Sequence, residues 1–417
     1  MNKLNWFLHD RFGLFIHFGI YAIPARGEWV RNHESITVED YQKYFDEFNP
    51  YKYDPKKWAR AAKEAGMKYA VMTAKHHDGF CLFDSKLTDY KVTNTPYGKD
   101  IIKEYVEAFR SEGLKVGFYY SLLDWHHEDY PVKEDPFHPM RNKPEYFNDN
   151  KNFSRYISYF HGQVKELLTN YGKIDIIWFD FSYGDMSEEK WEASKLVKMV
   201  RELQPEIIIN NRLGGDIFSE NPKEYTGDFT TPEQNIPSQI LKNKLGKDVP
   251  WEACITMNDN WGYNSFDKNY KTPKQLIRTL VECVSKGGNL LLNIGPNAKG
   301  EFPDESLETL KIIGKWMDKN SESIYGCSYS DLPKPEWGRF TQKGNKLYLH
   351  IFDKPVGAIA LENMLDKVEK ARLLSDYSEI KIAPPWYAPQ GTNTLYINLP
   401  HSTLPDEIDT VIELTLK

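Results

Sequence analysis

The sequence has few cysteines and no long apolar run. Its 417 residues include only 4 cysteines, which are far apart and form no CxxC pair, so neither a disulfide framework nor a cysteine-rich metal site is expected. No stretch approaches the roughly 18 consecutive apolar residues of a membrane-spanning helix. The first ten residues also lack the pattern of a secretory signal. We therefore predict a cytoplasmic protein with no membrane partner.

An excess of basic residues is also missing. The chain has 53 Lys and Arg against 60 Asp and Glu, a net charge of −7, which argues against general nucleic-acid binding because no surplus positive charge can neutralise phosphates. The 40% hydrophobic and 27% charged content excludes a disordered chain. Aromatic residues are abundant at 14%, as expected where rings stack on a ligand such as a sugar as well as in a core.

The order of apolar patterns predicts a barrel. Through the first three quarters of the chain, short β-rich runs alternate with amphipathic helical stretches, which is typical of parallel βαβ units. Eight such runs suggest a (β/α)₈ barrel. The strands are predicted at 12–17, 69–74, 115–121, 174–180, 206–212, 225–229, 251–257 and 289–294, and helices at 55–65, 101–112, 154–169, 188–203, 273–285 and 304–319.

After about residue 330 the pattern changes to strands alone. They are predicted at 347–352, 358–362, 371–375, 379–382, 394–399 and 411–416, separated by turn residues, which favours a small antiparallel β-sandwich. We therefore expect an α/β fold with a catalytic (β/α)₈-like barrel over residues 1–330 and a C-terminal antiparallel β-sandwich over 331–417.

Polar side chains cluster where the predicted barrel strands end. Active sites of such barrels are built at the C-terminal ends of the strands, and six of the predicted strands end in polar residues there. Taken singly, each residue could be an ordinary polar side chain at the rim: Asp180 could cap the next helix, and Arg212 could be a structural ion-pair partner. Together they predict a site, from His17, His76, His77, Asp180, Arg212 and Glu233 among others.

The histidine pairs at 76/77 and 126/127 raise the possibility of a metal site. Neighbouring residues of a strand point to opposite faces, so such a pair cannot simply chelate one ion, and the first strand does not end in the His-x-His of metal-dependent barrel hydrolases. We predict no metal and no cofactor. Neutral imidazoles, each with one donor and one acceptor, match the hydroxyls of a sugar. A metal-dependent barrel hydrolase and a non-catalytic glycan-binding protein stay as alternatives.

An ordered set of motifs resembles the α-L-fucosidases of glycoside hydrolase family 29. The set comprises GLFIHFGIY at 13–21, GEW at 27–29, KHHDGF at 75–80, WFD at 178–180, NNR at 210–212, TPE at 231–233, WE at 251–252, NWGY at 260–263 and KGGNLLLNIGP at 286–296. The resemblance implies a retaining exo-hydrolase that releases terminal α-L-fucose from a fucosylated oligosaccharide or glycoconjugate by double displacement. It also implies a possible homo-oligomer.

The resemblance further implies roles for individual residues. Asp180 would be the nucleophile and Glu233 the general acid/base, with Glu252 as the alternative acid/base or a buried structural residue. The residues implied in sugar binding are His17, Glu28, Trp29, His76, His77, Tyr120, Trp178, Arg212 and Trp261. The methyl group of fucose needs an apolar wall, for which the candidates are Phe18, Phe229, Trp261 and Tyr263.

Overall fold

Seven parallel strands form one curled sheet in the computed structural model, which describes residues 3–147, 151–399 and 403–417. The strand order is β5-β4-β3-β2-β1-β7-β6, and all their residues except Lys115 are buried, which explains the nearly continuous apolar runs in the sequence. The strands are β1 Phe12–Ile16, β2 Tyr69–Lys75, β3 Lys115–Ser121, β4 Ile176–Asp180, β5 Ile208–Ile209, β6 Glu252–Thr256 and β7 Asn289–Ile294.

The helices lie between and around these strands. Several begin where the sequence provides a cap: the side chains of Asp54 and Asp100 accept hydrogen bonds from the first turns of their helices, and Thr272 forms a capping box with Gln275. None of the helices described is long and apolar enough to cross a membrane. They are α1 Asn5–Asp10, α2 Val30–His33, α3 Val38–Glu47, α4 Pro55–Glu64, α5 Ile101–Ser111, α6 Phe153–Asn170, α7 Ala193–Leu203, α8 Pro273–Val284 and α9 Asp304–Asn320.

The predicted helices are confirmed with small shifts at their ends, apart from 188–203. There, a 3₁₀ turn at Glu188–Trp191 precedes α7. Glu192, between the two, has a φ of 48°, in the left-handed region that interrupts a right-handed helix. The apolar periodicity of 188–203 continues across this break, so the sequence pattern did not reveal it.

The predicted strand 225–229 is wrong. Residues Glu224–Thr226 form a 3₁₀ turn, and the segment 229–233 makes only isolated β-bridges to its neighbours. This segment nevertheless fills the space between β5 and β6, because the amide of Asp228 donates to Ile209 (2.7 Å) and the amide of Cys254 donates to the carbonyl of Pro232 (3.0 Å). Pro232 cannot donate to a strand ladder, so a regular strand is disfavoured. The predicted (β/α)₈-like barrel is confirmed, with an irregular segment in place of one strand.

The C-terminal part contains a four-stranded antiparallel sheet in the order β11-β13-β9-β8 and a β10-β12 pair, which confirms the predicted antiparallel β domain. Strand β8 was not predicted, and the predicted strand 379–382 contributes only isolated bridges. These strands have a hydrophobic cluster of their own, but Tyr348, Phe352 and Val411 pack into the barrel's cluster. The strands are β8 Gly338–Lys343, β9 Lys346–Ile351, β10 Ile359–Leu361, β11 Val368–Leu373, β12 Leu395–Ile397 and β13 Thr410–Leu416.

A buried His–Asp pair lies where this part meets the barrel helices. Nδ1 of His350 lies 2.7 Å from Asp409 Oδ2, and both side chains are fully buried. Thr341 donates its hydroxyl to the carbonyl of Ser323 (2.7 Å) and therefore accepts from Nε2 of His350 (3.0 Å). This hydrogen-bond network joins β8, β9 and the residue before β13 through one buried imidazole. Trp316 of α9 donates to the carbonyl of Asp409 (3.1 Å).

Replacing His350 by Ala should lower the free energy of unfolding by about 3–5 kcal/mol, because it leaves the buried carboxyl of Asp409 without its partner. Urea unfolding followed by tryptophan fluorescence measures this. The matched control is Glu301→Gln, which breaks the exposed pair with Lys52 and should leave the unfolding curve unchanged. Equal stability of the His350→Ala variant and the parent protein would show that this buried pair does not stabilise the fold.

Candidate active site

A cleft of about 550 Å³ lies at the C-terminal ends of the barrel strands, within the volume range of small-molecule sites. Its inner end is closed by aromatic rings and imidazoles, and its outer end is open to solvent. It is lined by Phe15, His17, Trp29, His76, His77, Tyr119, Trp178, Asp180, Phe181, Ser182, Tyr183, Asn211, Arg212, Gly214, Gly215, Thr231, Glu233, Cys254 and Trp261.

Arg212 bridges two carboxylates across this cleft. Its Nη1 donates to Asp180 Oδ1 and its Nη2 donates to Glu233 Oε2, each at 2.7 Å. Asp180 Oδ2 also accepts a hydrogen bond from the hydroxyl of Tyr119 at 2.7 Å. The Asp180 side chain is 10% exposed and that of Glu233 is 42% exposed. One carboxylate is thus held at the inner end of the cleft by two donors, while the other lies at the opening.

The guanidinium of Arg212 is held by several contacts. It lies 4.5 Å above the ring of Trp178, and Nε donates to Thr231 Oγ1 at 2.9 Å. Burial opposes its charge, but the carboxylates of Asp180 and Glu233 nevertheless hold the pKa of Arg212 above its ordinary value. The cleft therefore contains a permanent positive charge in a fixed position.

The cleft histidines are neutral. Burial lowers the pKa of His17 to about 3 and that of His76 and His77 well below the ordinary value. Nδ1 of His17 lies 2.6 Å from the amide oxygen of Asn293, whose nitrogen is engaged with the carbonyl of Trp261 (2.7 Å). Nδ1 therefore carries the proton and Nε2 is an acceptor.

His77 is oriented in the same way by Ser121. The Ser121 hydroxyl donates to the carbonyl of Leu123 (2.9 Å) and so accepts from Nδ1 of His77 (2.6 Å). Nε2 of His77 is then an acceptor as well. Such neutral imidazoles can accept hydrogen bonds from the hydroxyls of a sugar but cannot provide a positive charge.

The backbone is strained directly after each of the two carboxylates. Phe181 has a φ of 71° and Gln234 a φ of 50°, in the left-handed region that residues other than glycine rarely adopt. Gln234 is held there because its amide N–H donates to the carbonyl of Cys254 (3.0 Å) and its side chain donates to Thr256 (2.9 Å). Strain that neighbouring contacts maintain is typical of functional sites.

The structure brings most of the predicted site residues together. Nine of them line the cleft: His17, Trp29, His76, His77, Trp178, Asp180, Arg212, Glu233 and Trp261. Asn293 and Tyr119, which hold His17 and Asp180, were missed. Among the residues that the structure describes, no group of three or more His, Cys, Asp or Glu side chains could hold a metal ion.

Tyr120 does not lie at the cleft, so its predicted sugar contact is corrected to Tyr119. The hydroxyl of Tyr120 donates to Gln163 of α6 at 2.7 Å, on the outer side of the sheet. Tyr119 is paired with Trp178 in the strand register and faces the interior with it. Successive residues of a strand point to opposite faces, so Tyr119 and not Tyr120 shares the face of Trp178 and Asp180 once the strand register is known.

Glu28 and Glu252 lie behind the cleft wall. Glu28 accepts a hydrogen bond from the amide of Gly262, next to Trp261, at 2.8 Å. Burial raises the pKa of Glu28 to about 7. Glu252 is fully buried and accepts a hydrogen bond from the hydroxyl of Tyr69. Burial raises the pKa of its carboxyl to about 8. Neither Glu28 nor Glu252 lines the cleft, whereas Glu233 does.

Three of the four candidates for an apolar wall lie elsewhere. Phe18 packs against Phe48 and Trp58, Phe229 packs against Phe7 below the cleft, and Tyr263 is outside the cleft lining. Trp261 is at the cleft, with Phe15 beside it at 5.8 Å between ring centroids. The apolar wall that the structure provides is therefore Phe15 with Trp261.

Comparison with known proteins identifies the family. The family model described as "Alpha-L-fucosidase" matches residues 1–322. The chain belongs to the α-L-fucosidase family. It is therefore a glycoside hydrolase that acts on α-L-fucosides and has a fucosylated glycan as its partner, and a non-catalytic glycan-binding protein is not supported.

Solved structures agree over the whole chain of this fucosidase. It is 62% identical to α-L-fucosidase isoenzyme 1 from Paenibacillus thiaminolyticus, with a TM-score of 0.98 over 100% of this chain and 99% of that chain. It is 32% identical to a family 29 α-L-fucosidase from Bacteroides thetaiotaomicron, with a TM-score of 0.85 over 100% and 96% of the two chains. That structure is a covalent intermediate trapped in complex with 2-fluoro-fucosyl fluoride by using a Glu-to-Gln mutant.

A curated relative agrees as well. The α-L-fucosidase of Dictyostelium discoideum is 28% identical over 383 residues, which cover 84% of this chain and 78% of that protein.

The buried carboxyl of Glu252 predicts a pH dependence of stability. Its folded-state pKa of about 8 lies above its ordinary value of 4.5, so the folded chain keeps a proton that the unfolded chain releases. The stabilisation is complete below pH 4.5 and is lost as pH rises to 8. Between pH 6 and pH 8, the free energy of unfolding should fall by about 2 kcal/mol more in the parent protein than in the Glu252→Gln variant.

Urea unfolding of the two proteins at several pH values measures this difference. Gln can still accept the hydrogen bond from Tyr69, so the variant should fold. The matched control is Glu305→Gln at an exposed position, which should keep the parent's slope. Parallel pH curves for the parent protein and the Glu252→Gln variant would show that Glu252 is ionised in the folded state.

Proposed function

We propose that the protein is a retaining, exo-acting α-L-fucosidase in which Asp180 is the nucleophile and Glu233 the general acid/base. The observation that carries the proposal is the Asp180–Arg212–Glu233 chain, in which both carboxylates contact one guanidinium at 2.7 Å. Two carboxylates on neighbouring nitrogens of one guanidinium lie close together, in keeping with the separation of about 5–5.5 Å in retaining glycosidases. The trapped covalent intermediate of the Bacteroides relative is further support.

In the first step, Asp180 attacks the anomeric carbon while the bond to the leaving oxygen breaks and Glu233 protonates that oxygen. The product is a β-fucosyl ester of Asp180. Tyr119 and Arg212 hold the attacking carboxylate in position through its two oxygens. Glu233 exchanges its contact with Arg212 for the glycosidic oxygen when the substrate binds.

In the second step, Glu233 takes a proton from water, which attacks the anomeric carbon, releases α-L-fucose and regenerates the Asp180 carboxylate. Esterification removes the charge of Asp180, so Arg212 then has one carboxylate partner instead of two. The same guanidinium thus contacts both carboxylates that the two steps use.

Sugar binding uses the closed end of the cleft. The neutral Nε2 acceptors of His17 and His77, with His76, Trp29 and the donors of Arg212, match the hydroxyls of fucose. Phe15, Trp178 and Trp261 provide the apolar surface for the ring and its C5 methyl group. The 1–4% exposure of His17, His76 and His77 also favours a terminal sugar, because the closed end leaves no room for the chain to continue.

Replacing Asp180 by Ala should lower kcat/KM for an aryl α-L-fucoside by about a thousandfold or more, because no covalent intermediate can form. Azide should restore part of the activity by occupying the vacated space, with β-fucosyl azide as the product. Absorbance assays with and without azide, followed by proton NMR of the product, measure both effects. The matched control is Asp185→Ala, an exposed residue of the same loop. Full activity of the Asp180→Ala variant would refute the mechanism.

The acid/base assignment is tested by the paired variants Glu233→Gln and Glu252→Gln. Glu233→Gln should keep fucosylation by an activated substrate such as α-L-fucosyl fluoride but lose at least about a hundredfold with a poor leaving group, because only the latter needs a proton donor. Glu252→Gln should retain activity on both substrates. Steady-state kinetics with the two substrates distinguish the residues, and the opposite pattern would reassign the role to Glu252.

We also propose a domain boundary, a location and a set of excluded partners for this protein. We propose residues 1–330 as the catalytic domain and 331–417 as its structural partner, which is supported by the position of all cleft-lining residues before residue 262. The four cysteines are buried and free, which supports a reducing compartment and hence a cytoplasmic location. A possible homo-oligomer, and the expectation of no nucleic-acid or membrane partner, stay predictions that size-exclusion chromatography and binding assays can test.

A further inference from the structure

The cleft has two ends of different character. At the inner end, Phe15, His76, Tyr119 and Trp178 are at most 4% exposed. At the mouth, Ser182 and Tyr183 are half-buried, and Gly215 and Glu233 are exposed. A terminal sugar fits the closed end, so the leaving group has to lie at the mouth, on the side of Glu233. This placement rests on the proposed function.

Four aromatic rings gather at this mouth and form what we call the platform: Phe137, Phe181, Tyr183 and Trp29, which also borders the closed end beside His77. All of them except Phe137 line the cleft. The ring of Phe137 lies 5.7 Å from Trp29, 5.4 Å from Phe181 and 5.1 Å from Tyr183, measured between centroids. The rings come from the loops after β1, β3 and β4. Their convergence at one side of the mouth therefore depends on the tertiary structure.

The platform packs against the barrel core but remains partly exposed to solvent. Phe137 is 36% exposed, and Trp29, Phe181 and Tyr183 are half-buried. A cluster of large aromatic rings that stays in contact with solvent leaves unused the free energy that its full burial would provide. Exposed aromatic surface at the mouth of a cleft is typical of a ligand-contacting surface.

A buried carboxylate holds the platform in place. Asp135 is fully buried and accepts hydrogen bonds from the hydroxyl of Tyr183 (2.8 Å), the indole of Trp125 (3.2 Å), the hydroxyl of Tyr130 (3.1 Å) and the amide of Phe137 (2.8 Å). Burial raises the pKa of Asp135 against the effect of these donors. Asp135 thus joins the loop after β3 to the loop after β4. This connection limits the movement of the rings before any ligand binds and so lowers the entropic cost of binding.

We propose that the platform is a leaving-group subsite that binds the apolar face of the pyranose ring to which fucose is attached. A pyranose presents C–H groups on its faces, and a rigid aromatic surface complements them. The hydroxyl of Tyr183 is occupied by Asp135, so this residue offers its ring rather than a directed hydrogen bond. The platform therefore selects for a ring at this position and tolerates different arrangements of its hydroxyls.

The test compares two substrates that differ only in the leaving group. One is a disaccharide of α-L-fucose linked to D-galactose, and the other is α-L-fucosyl fluoride, whose leaving group is a single atom. For Tyr183→Ala and Phe137→Ala, kcat/KM for the disaccharide should fall about tenfold more than kcat/KM for the fluoride, as the loss of one aromatic contact implies.

Two matched variants separate the effect of a platform ring on kcat/KM from the effects of its hydrogen bond and of losing an aromatic ring elsewhere. Tyr183→Phe keeps the ring and loses the bond to Asp135, so its ratio of the two kcat/KM values should stay within about twofold of that of the parent protein. Phe266→Ala removes an aromatic ring that is 81% exposed and lies outside the cleft, and should change neither value.

Two results would overturn the proposal. If the platform variants lose activity equally on both substrates, the rings position the catalytic groups and do not bind the leaving group. If kcat/KM for the disaccharide does not change in either Ala variant, the platform does not contact the leaving sugar. A parent protein that hydrolysed neither substrate would instead reject the proposed function itself, and the subsite with it, so the two failures are distinguishable.

Discussion

The ion pairs of Arg212 with two carboxylates are the interaction on which the rest of the site depends. Its charge is only 20% exposed, and leaving such a charge without partners would be costly. Asp180 and Glu233 compensate for it, Trp178 lies against it, and Thr231 fixes its direction. The end of β4, the end of β5 and the irregular segment 229–233 therefore have to meet at one point.

Burial has a second effect, on the groups that could be charged but are not. His17, His76 and His77 are surrounded by rings and by one another, so their protonated forms are disfavoured. The site thus separates a fixed positive charge from a neutral, hydrogen-bonding wall. That combination suits an uncharged sugar, because neutral imidazoles can exchange hydrogen bonds with hydroxyl groups.

The regular backbone is interrupted at two places beside the cleft: the segment 229–233 and the residue that follows β4. A regular strand at 229–233 would alternate its side chains, whereas the observed segment, with Pro232 and a strained Gln234, holds Glu233 at the opening of the cleft. Phe181, with its positive φ, similarly directs the chain after β4 toward the platform at the mouth. The free energy lost in these conformations is offset by the hydrogen bonds of Gln234 and by the packing of Phe181.

Most strands and helices, and nine of the predicted site residues, could be read from the sequence because periodicity and strand ends are local properties. The sequence also determined the family, through motifs in a fixed order. Only the tertiary structure showed that Tyr119 and not Tyr120 lines the cleft, that Glu233 lines it and Glu252 does not, and that 225–229 is not a strand. The reason is physical: parallel strands are buried on both faces, so apolar residues occupy both sides and their alternation does not reveal which side faces the cleft.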